Sequence, residues 1–299
     1  MALLSAPVNQ LADYQLEYDG LLFGPGTPYD LPPELNLLDL VAVRNQDTDR
    51  DAGQDGAFDG PDSVGVVVFE VPFELYTDTD TAWFAAVQAL RMTARVRAVA
   101  APLWFKVPTL PVYGMAAKVN NRHLPIGNTW RRLSVGALQF RVTKPQIQSI
   151  ARTYTLAPIG QGGGLRYPLY ATGNANGGGK TLDYGTTGTA AYSARLANSG
   201  NTPAYPVVVV DGPNTGGFRL ELGGHVVTYP QALAAGDSVI VDYAAGSAYL
   251  SSNGSTPVPR TGVLTTRDFT PVPLNGSATL LFVASGGTAR ATIADIWRG

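Results

Sequence analysis

The clearest periodic stretch of the chain is TDTDTAWFAAVQALRMTARVR, residues 77–97. Trp83, Val87, Leu90 and Ala94 recur at i, i+4, i+7 and i+11, which is one face of a helix. Asp78, Thr79 and Asp80 each offer an N-cap oxygen, and Gln88, Arg91 and Arg95 fall on the wet side. Upstream, Val64–Phe73 is rich in β-branched and aromatic residues and predicts a strand that Pro72 ends. Downstream, Val112–Val119 and Leu133–Val142 predict two more strands. Beyond residue 150 the pattern changes to short strands and turns. Val207–Val210 predicts a strand buried in a sandwich. Ser238–Tyr243 alternates, with Val239, Val241 and Tyr243 on one face. Leu280–Val283 and Ala289–Ile296 follow. The pairs Asp211-Gly212, Gly236-Asp237, Asn253-Gly254 and Asn275-Gly276 punctuate them as turns.

This spacing predicts a mainly β protein of two β-sandwich-type domains, the first carrying one α-helix. The first domain is expected over residues 1–150 and the second, a jelly roll, over residues 166–299. A glycine-rich connector, residues 151–165, ends in IGQGGGL, which cannot support a core.

Composition agrees. The 299 residues include 34 glycines and 22 prolines without a three-residue period, and 45% are hydrophobic, which excludes collagen and bulk disorder. Charged residues are 15% of the chain, against about 25% in an average domain. The net charge of −2 and pI near 5.7 leave no basic footprint for sequence-specific nucleic-acid binding. Residues 1–150 hold 16 acidic and 12 basic side chains, and residues 151–299 hold 7 and 9. The absence of cysteine removes disulfides, thiolate nucleophiles and cysteine-based metal sites. MALLSAP has no cationic leader and no apolar run reaches the ~18 residues of a membrane span, so a soluble chain without a secretory signal is expected.

Candidate chemistry is sparse. Residues 174–181, NANGGGKT, approach a phosphate-binding loop, but Asn174 replaces its first glycine and no helical stripe follows Thr181. A plain loop is the preferred reading. Asp47, Asp49, Asp51 and Asp55 match positions 1, 3, 5 and 9 of a calcium loop. Ala52 and Phe58 occupy the positions that need glycine and a bidentate glutamate, so a solvated acidic loop is preferred there. His123 and His225 lie in different halves, outside any zinc-protease or serine-hydrolase motif. Glu70 and Glu74 form a carboxylate pair on paper only. Tyr229, Tyr243, Tyr249 and Trp297 could stack on sugars, although strand aromatics are more often buried. Asn253 and Asn275 begin N-x-S sequons that are more simply turns. No catalytic, cofactor-binding or metal-binding residue is assigned.

The order of elements resembles the distal tail protein of long, non-contractile-tailed bacteriophages, close to the minor tail proteins of phages of actinobacteria. In the first half the resemblance rests on the Leu-Asn-Leu-Leu-Asp segment, residues 35–39, and the Arg44…Asp49-Arg50…Asp55-Gly56 loop. The Val66–Val71 strand, the Trp83–Arg95 helix, LWFKVP, VYGMAAKVNNRHLPIGNTW and VGALQFRVTKPQIQS continue it. Lys144-Pro145 departs from the family's usual Asp-Pro. In the second half it rests on residues 197–213, 233–243, Tyr249…Asn253-Gly254 and 274–287. The terminal ARATIADIWRG, with Trp297, is expected to close that domain.

The resemblance implies a galectin-like fold for the second domain and a structural role at the virion's tail tip, in a protein made in the host cytoplasm. It implies a homohexameric ring joining the tail tube to the tip or baseplate around the DNA exit channel. The implied partners are the chain itself, the tail-tube protein, and the hub and tape-measure proteins. Cofactors and enzymatic activity are not expected. Seven acids, Asp39, Asp47, Asp49, Asp51, Asp55, Asp59 and Asp62, stand against Arg44 and Arg50 only. On this family model they either face the lumen, keeping departing DNA from sticking, or form an outward solvated loop. Two other readings compete: a carbohydrate-binding module with weak host-glycan contact, and a wall-degrading enzyme, for which no carboxylate pair or metal site is located.

Overall fold

The computed structural model describes residues 3–32, 37, 43–44, 48–49, 57–58, 63–95, 97–123, 133–158 and 191–298. The chain divides into two compact units. The first comprises Leu4–Ile150 with Ile296–Gly299, and the second comprises Ala151–Asp295 with Met1–Leu3. From Leu4 on, the chain leaves the first unit after Ile150 and re-enters it at Ile296.

The first unit is built on β1 (Leu16–Tyr18), β2 (Leu21–Phe23), β3 (Tyr29–Asp30), and two small ladders. In these, β4 (Val43–Arg44) pairs with β7 (Ser63–Val64), and β5 (Thr48–Asp49) pairs with β6 (Ala57–Phe58). Part of the expected acidic loop is therefore paired strand. Then come β8 (Val67–Tyr76), helix α1 (Asp80–Thr93), β9 (Ala101–Lys106), β10 (Val112–His123), β11 (Leu133–Val142) and β12 (Gln146–Ser149). The main sheet runs β2-β1-β9-β10-β11-β8-β3, and β12 adds to β10. Its inward residues, among them Tyr18, Phe23, Phe73, Leu103 and Phe140, share one buried cluster with Trp83, Val87 and Leu90 of the helix.

The helix forms as its periodicity predicts. Thr79 is the N-cap, its hydroxyl accepting from the Ala82 amide at 3.2 Å. At the other end Arg122 donates to the Ala94 carbonyl at 3.0 Å, satisfying one of the acceptors a helix end leaves open. Tyr29 donates its hydroxyl to the Ala86 carbonyl at 2.7 Å and so ties β3 to the helix.

The expectation that Pro72 ends a strand is corrected. β8 runs on to Tyr76, fully paired with β11 from Val142↔Val67 to Leu133↔Tyr76. The reason lies in which side lacks the donor. The Tyr76 amide bonds to Pro28 on the β3 side, so even-numbered residues of β8 point their amides that way. β3 pairs only as far as Asp30↔Glu74. Pro72 therefore lacks its N–H on an edge with no ladder partner among the described residues.

Two glycines set close packing in this sheet. Gly136 lies opposite Phe73 and Gly114 opposite Trp104. A Cβ on Gly136 would stand 2.4 Å from the Phe73 ring, and one on Gly114 2.4 Å from the Trp104 ring. Each aromatic ring thus lies flat over the glycine across the ladder. On the outer side of β1 the buried Glu17 carboxylate accepts from the Val8 and Asn9 amides at 2.8 and 2.7 Å and from the Asn9 side chain at 2.8 Å. Trp104 Nε1 donates to Ser5 O at 3.0 Å, so the amino-terminal segment is laid along this face.

The second unit is a two-sheet sandwich. Its strands are β13 (Arg152–Leu156), β14 (Ser193–Asn198), β15 (Val207–Asp211), β16 (Phe218–Leu222), β17 (His225–Tyr229) and β18 (Asp237–Asp242). They continue with β19 (Ser247–Ser252), β20 (Val258–Pro259), β21 (Thr266–Arg267), β22 (Gly276–Ala284) and β23 (Thr288–Ile293). One sheet runs β13-β23-β15-β18-β19-β20 and the other β14-β22-β16-β17-β21. The expected face of Val239, Val241 and Tyr243 is buried. The four valines are not buried on both sides: Val208 and Val210 are inside, while Val207 and Val209 are half-exposed. Asn253-Gly254 turns with both φ positive, at 50° and 74°, as the dipeptide predicts.

Two assignments differ from the sequence expectation. Residues 152–156, placed in the connector, form β13, an edge strand paired with β23. The terminal segment does not close the second domain, because the strand stops at Ile293. Ile296–Arg298 forms β24, which pairs with β12 in the first unit, Trp297 opposite Ile147. Arg152 marks the departure of the chain and Asp295 its return, and the two form an ion pair at 2.5 Å. The segments 159–190, with IGQGGGL and NANGGGKT, and most of 33–62 lie outside the described residues. Among the described residues no helix is long and apolar enough to cross a membrane.

Three outcomes follow from this packing. Gly136→Ala must displace the buried Phe73 ring, and should cost roughly 1–3 kcal/mol in urea or thermal unfolding. Burial pushes the Tyr29 pKa up to about 12, above the ~10 of an unfolded chain. The stability this represents is complete below pH ~10 and is lost as pH rises towards ~12, by roughly 3 kcal/mol in all. Tyr29→Phe should therefore flatten the alkaline limb of the stability profile, at a cost of about 1 kcal/mol near neutrality for the lost hydrogen bond. Third, residues 151–295 expressed alone should melt cooperatively with a β-type circular dichroism spectrum. A 166–299 fragment, lacking β13 and carrying β24 without its partner, should melt lower.

Candidate functional site

The candidate catalytic groups do not come together. Glu70 and Glu74 share the outward face of β8, four residues apart, so their α-carbons lie about 13 Å apart along the strand. His123 is exposed at the end of β10. His225 Nδ1 lies 2.9 Å from the Asp268 carboxylate, but both side chains are about half exposed, unlike the buried carboxylate that orients a triad histidine. Among the described residues no group of three His, Cys, Asp or Glu is placed to hold a metal ion. Of the acidic calcium-loop candidates, Asp47, Asp51 and Asp55 lie outside the described residues, as do Asp39, Asp59 and Asp62; Asp49 is in β5.

The sugar-stacking candidates are also placed by packing. Tyr229 is buried and stacked on Phe218 with ring centroids 5.3 Å apart. Tyr243 is buried edge-on to Phe269, and its hydroxyl pKa is pushed well up by burial. Trp297 belongs to the first unit, T-shaped against Tyr113 at 5.0 Å. Tyr249 is half-exposed on β19. The bland reading of strand aromatics as core holds for Tyr229 and Tyr243.

What the first unit does present is two outward faces with apolar centres. On the sheet, β8 and β11 turn out Val68, Pro72, Tyr76 and Val135, with Glu70, Glu74 and Arg141 among them, and Asp30 of β3 is paired beside Glu74. Val68, Tyr76 and Val135 are 49%, 58% and 62% exposed. On the helix, the exposed side next to the buried stripe carries Phe84 and Met92, 57% and 64% exposed, with Gln88, Arg91 and Arg95. Among the described residues Glu70, Glu74, Arg91 and Arg95 make no ion pair. Sequence reading located Arg91 and Arg95 as wet but missed Phe84 and Met92. The same i, i+4 and i+8 spacing that marks a buried stripe would have flagged them, had the second stripe been read as a face of its own.

No protein-family model and no curated protein matches the sequence. Solved structures do match the fold. The Dit protein (gp 19.1) of phage SPP1, described as a paradigm of the hub adsorption apparatus in phages infecting Gram-positive bacteria, is 12% identical with a TM-score of 0.58. The match covers 96% of this chain and 100% of that one. A chain of the phage P2 baseplate in its activated conformation matches both with calcium and with strontium. In each case the identity is 10%, the TM-score 0.53, and the coverage 94% of this chain and 97% of that one. The coverage is near-complete on both sides, so the shared fold extends over nearly the whole chain and not over one sandwich alone.

Proposed function

We propose that this chain is a structural protein of a bacteriophage tail tip. In this reading it is incorporated into the virion as a hexameric ring that joins the tail tube to the tip or baseplate and surrounds the DNA exit channel. The observation that carries the reading is the match over 96% of this chain and 100% of the SPP1 hub protein, which spans both units in order. A ring needs two different, mutually complementary patches on each subunit, since only a head-to-tail contact closes into a cycle of six. The first unit offers two such faces. The sequence resemblance supplies the partners: the tail-tube protein on one side, and the hub and tape-measure proteins on the other. The second unit, whose galectin-like character the resemblance implies, is the part available to project from the ring.

The glycan-binding alternative gains less support. A sugar-stacking platform requires exposed rings, and Tyr229 and Tyr243 are in the core. A wall-cutting activity gains no support from Glu70 and Glu74, whose α-carbons lie about 13 Å apart along β8.

The full-length protein should form six-membered rings in mass photometry and negative-stain electron microscopy, populated further as concentration rises. Antibody against it should label the distal end of the tail. Monomers at every concentration, together with tails that carry no ring density for this chain, would overturn the reading.

A further inference from the structure

The two outward faces of the first unit differ in sign. Among the described residues the sheet face holds Glu70 and Glu74, with Asp30 paired beside Glu74, and one cation, Arg141, opposite Val68 at its far end. The helix stripe holds Arg91 and Arg95 around Met92, one turn apart. Each face combines exposed large apolar side chains with charges of one predominant sign. That composition is costly to leave in water and suits a contact that is desolvated on assembly.

We propose that the outward stripe of α1 in one copy docks on the outward face of β8 and β11 in the next copy. The ring then closes through this helix-on-sheet contact, repeated at every boundary. The inference rests on the ring reading above and names the surfaces that make it.

Charge excludes the simpler pairings. Sheet face on sheet face would set Glu70 and Glu74 against their own copies, and helix on helix would oppose the arginines. Like charges brought together across an interface are strongly disfavoured. The mixed pairing is the one that matches charge, and it is heterologous, the type that forms rings. Both stripes point away from one core cluster: Trp83 and Leu90 bury the inner side of the helix, and Val71, Phe73 and Leu75 the inner side of β8. A copy can therefore use both at once.

Dimensions agree as well. The stripe from Phe84 to Arg95 is about 16 Å long, and the strand face from Val68 to Tyr76 about 26 Å, so the helix fits within the sheet face. Arg141 orients it. The Arg91–Arg95 end belongs over Glu70, Glu74 and Asp30, away from Arg141, which brings Met92 near Val135 and Pro72. Phe84 then covers the apolar surface towards Val68.

Charge exchange in the full-length protein tests this. Glu70→Lys with Glu74→Lys, or Arg91→Glu with Arg95→Glu, should each weaken self-association at least about tenfold in mass photometry. Combining all four should restore it. A second measurement does not depend on charge. The chain has no cysteine, so Met92→Cys and Val135→Cys chains, carrying tags of different length, can be mixed and oxidised. The expected product is the mixed disulfide dimer, at least tenfold over either same-chain dimer, with unchanged circular dichroism in each variant. If the wild-type chain forms rings while charge reversal leaves them intact and no mixed dimer appears, the docking is overturned and the ring reading stands. If the wild-type chain forms no ring in solution or in the tail, both fall together.

Discussion

Phe73 lying over Gly136 is the contact on which the first unit depends. The ring occupies the space a Cβ would take and can do so only in the register that places these two residues opposite each other. It then meets Phe23 and Tyr29 edge-on, with centroids at 5.9 and 6.1 Å, and Tyr29 reaches the helix backbone. A one-residue slip of β8 against β11 would turn Val71, Phe73 and Leu75 out and Glu70, Glu74 and Tyr76 in. Burying two carboxylates without partners costs several kcal/mol each, so the slipped register is not accessible. The identity of the outward face is therefore a consequence of the packing inside.

Local features were legible in the sequence and non-local ones were not. Helix α1 could be read because its stripe, N-cap and wet side are all encoded within twenty residues. The valine and alternating strands of the second unit could be read for the same reason. Pro72 misled because its meaning depends on whether another strand covers that edge, and β3 stops two residues short of doing so. The terminal Ile296–Arg298 misled more: ARATIADIWRG reads as one strand. Its two parts serve different sheets, and only the pairing of Trp297 with Ile147, 150 positions earlier in the chain, shows it. Glu17 was equally silent, since a lone glutamate in a strand does not announce that it will receive the Val8 and Asn9 amides.

That return of the chain has a mechanical consequence. A second unit hung from one glycine-rich linker would be tethered at a single point. Here β12 leads out of the first unit and β24 leads back into it, and the two are paired within the first unit. Inside the second unit β13 and β23, the strands nearest the two crossings, are paired as well, and Arg152 is held to Asp295. Each unit thus anchors its own pair of chain ends by a ladder. Removing one crossing would take a strand from the sheet of the first unit as well as a tether from the second.

The distribution of charge bears on which surfaces the first unit presents. An enzyme concentrates titratable groups where their environments shift them. Among the described residues the groups shifted by burial are tyrosines in the two cores, Tyr18, Tyr29, Tyr229 and Tyr243, all raised by burial. Glu70, Glu74, Arg91 and Arg95 of the first unit instead stand on outward faces, beside exposed valine, tyrosine, phenylalanine and methionine. Only 15% of residues are charged, and these four stand beside the apolar side chains least suited to water. The same placement leaves the two faces opposite in predominant sign among the described residues, which is the property on which the proposed helix-on-sheet docking rests.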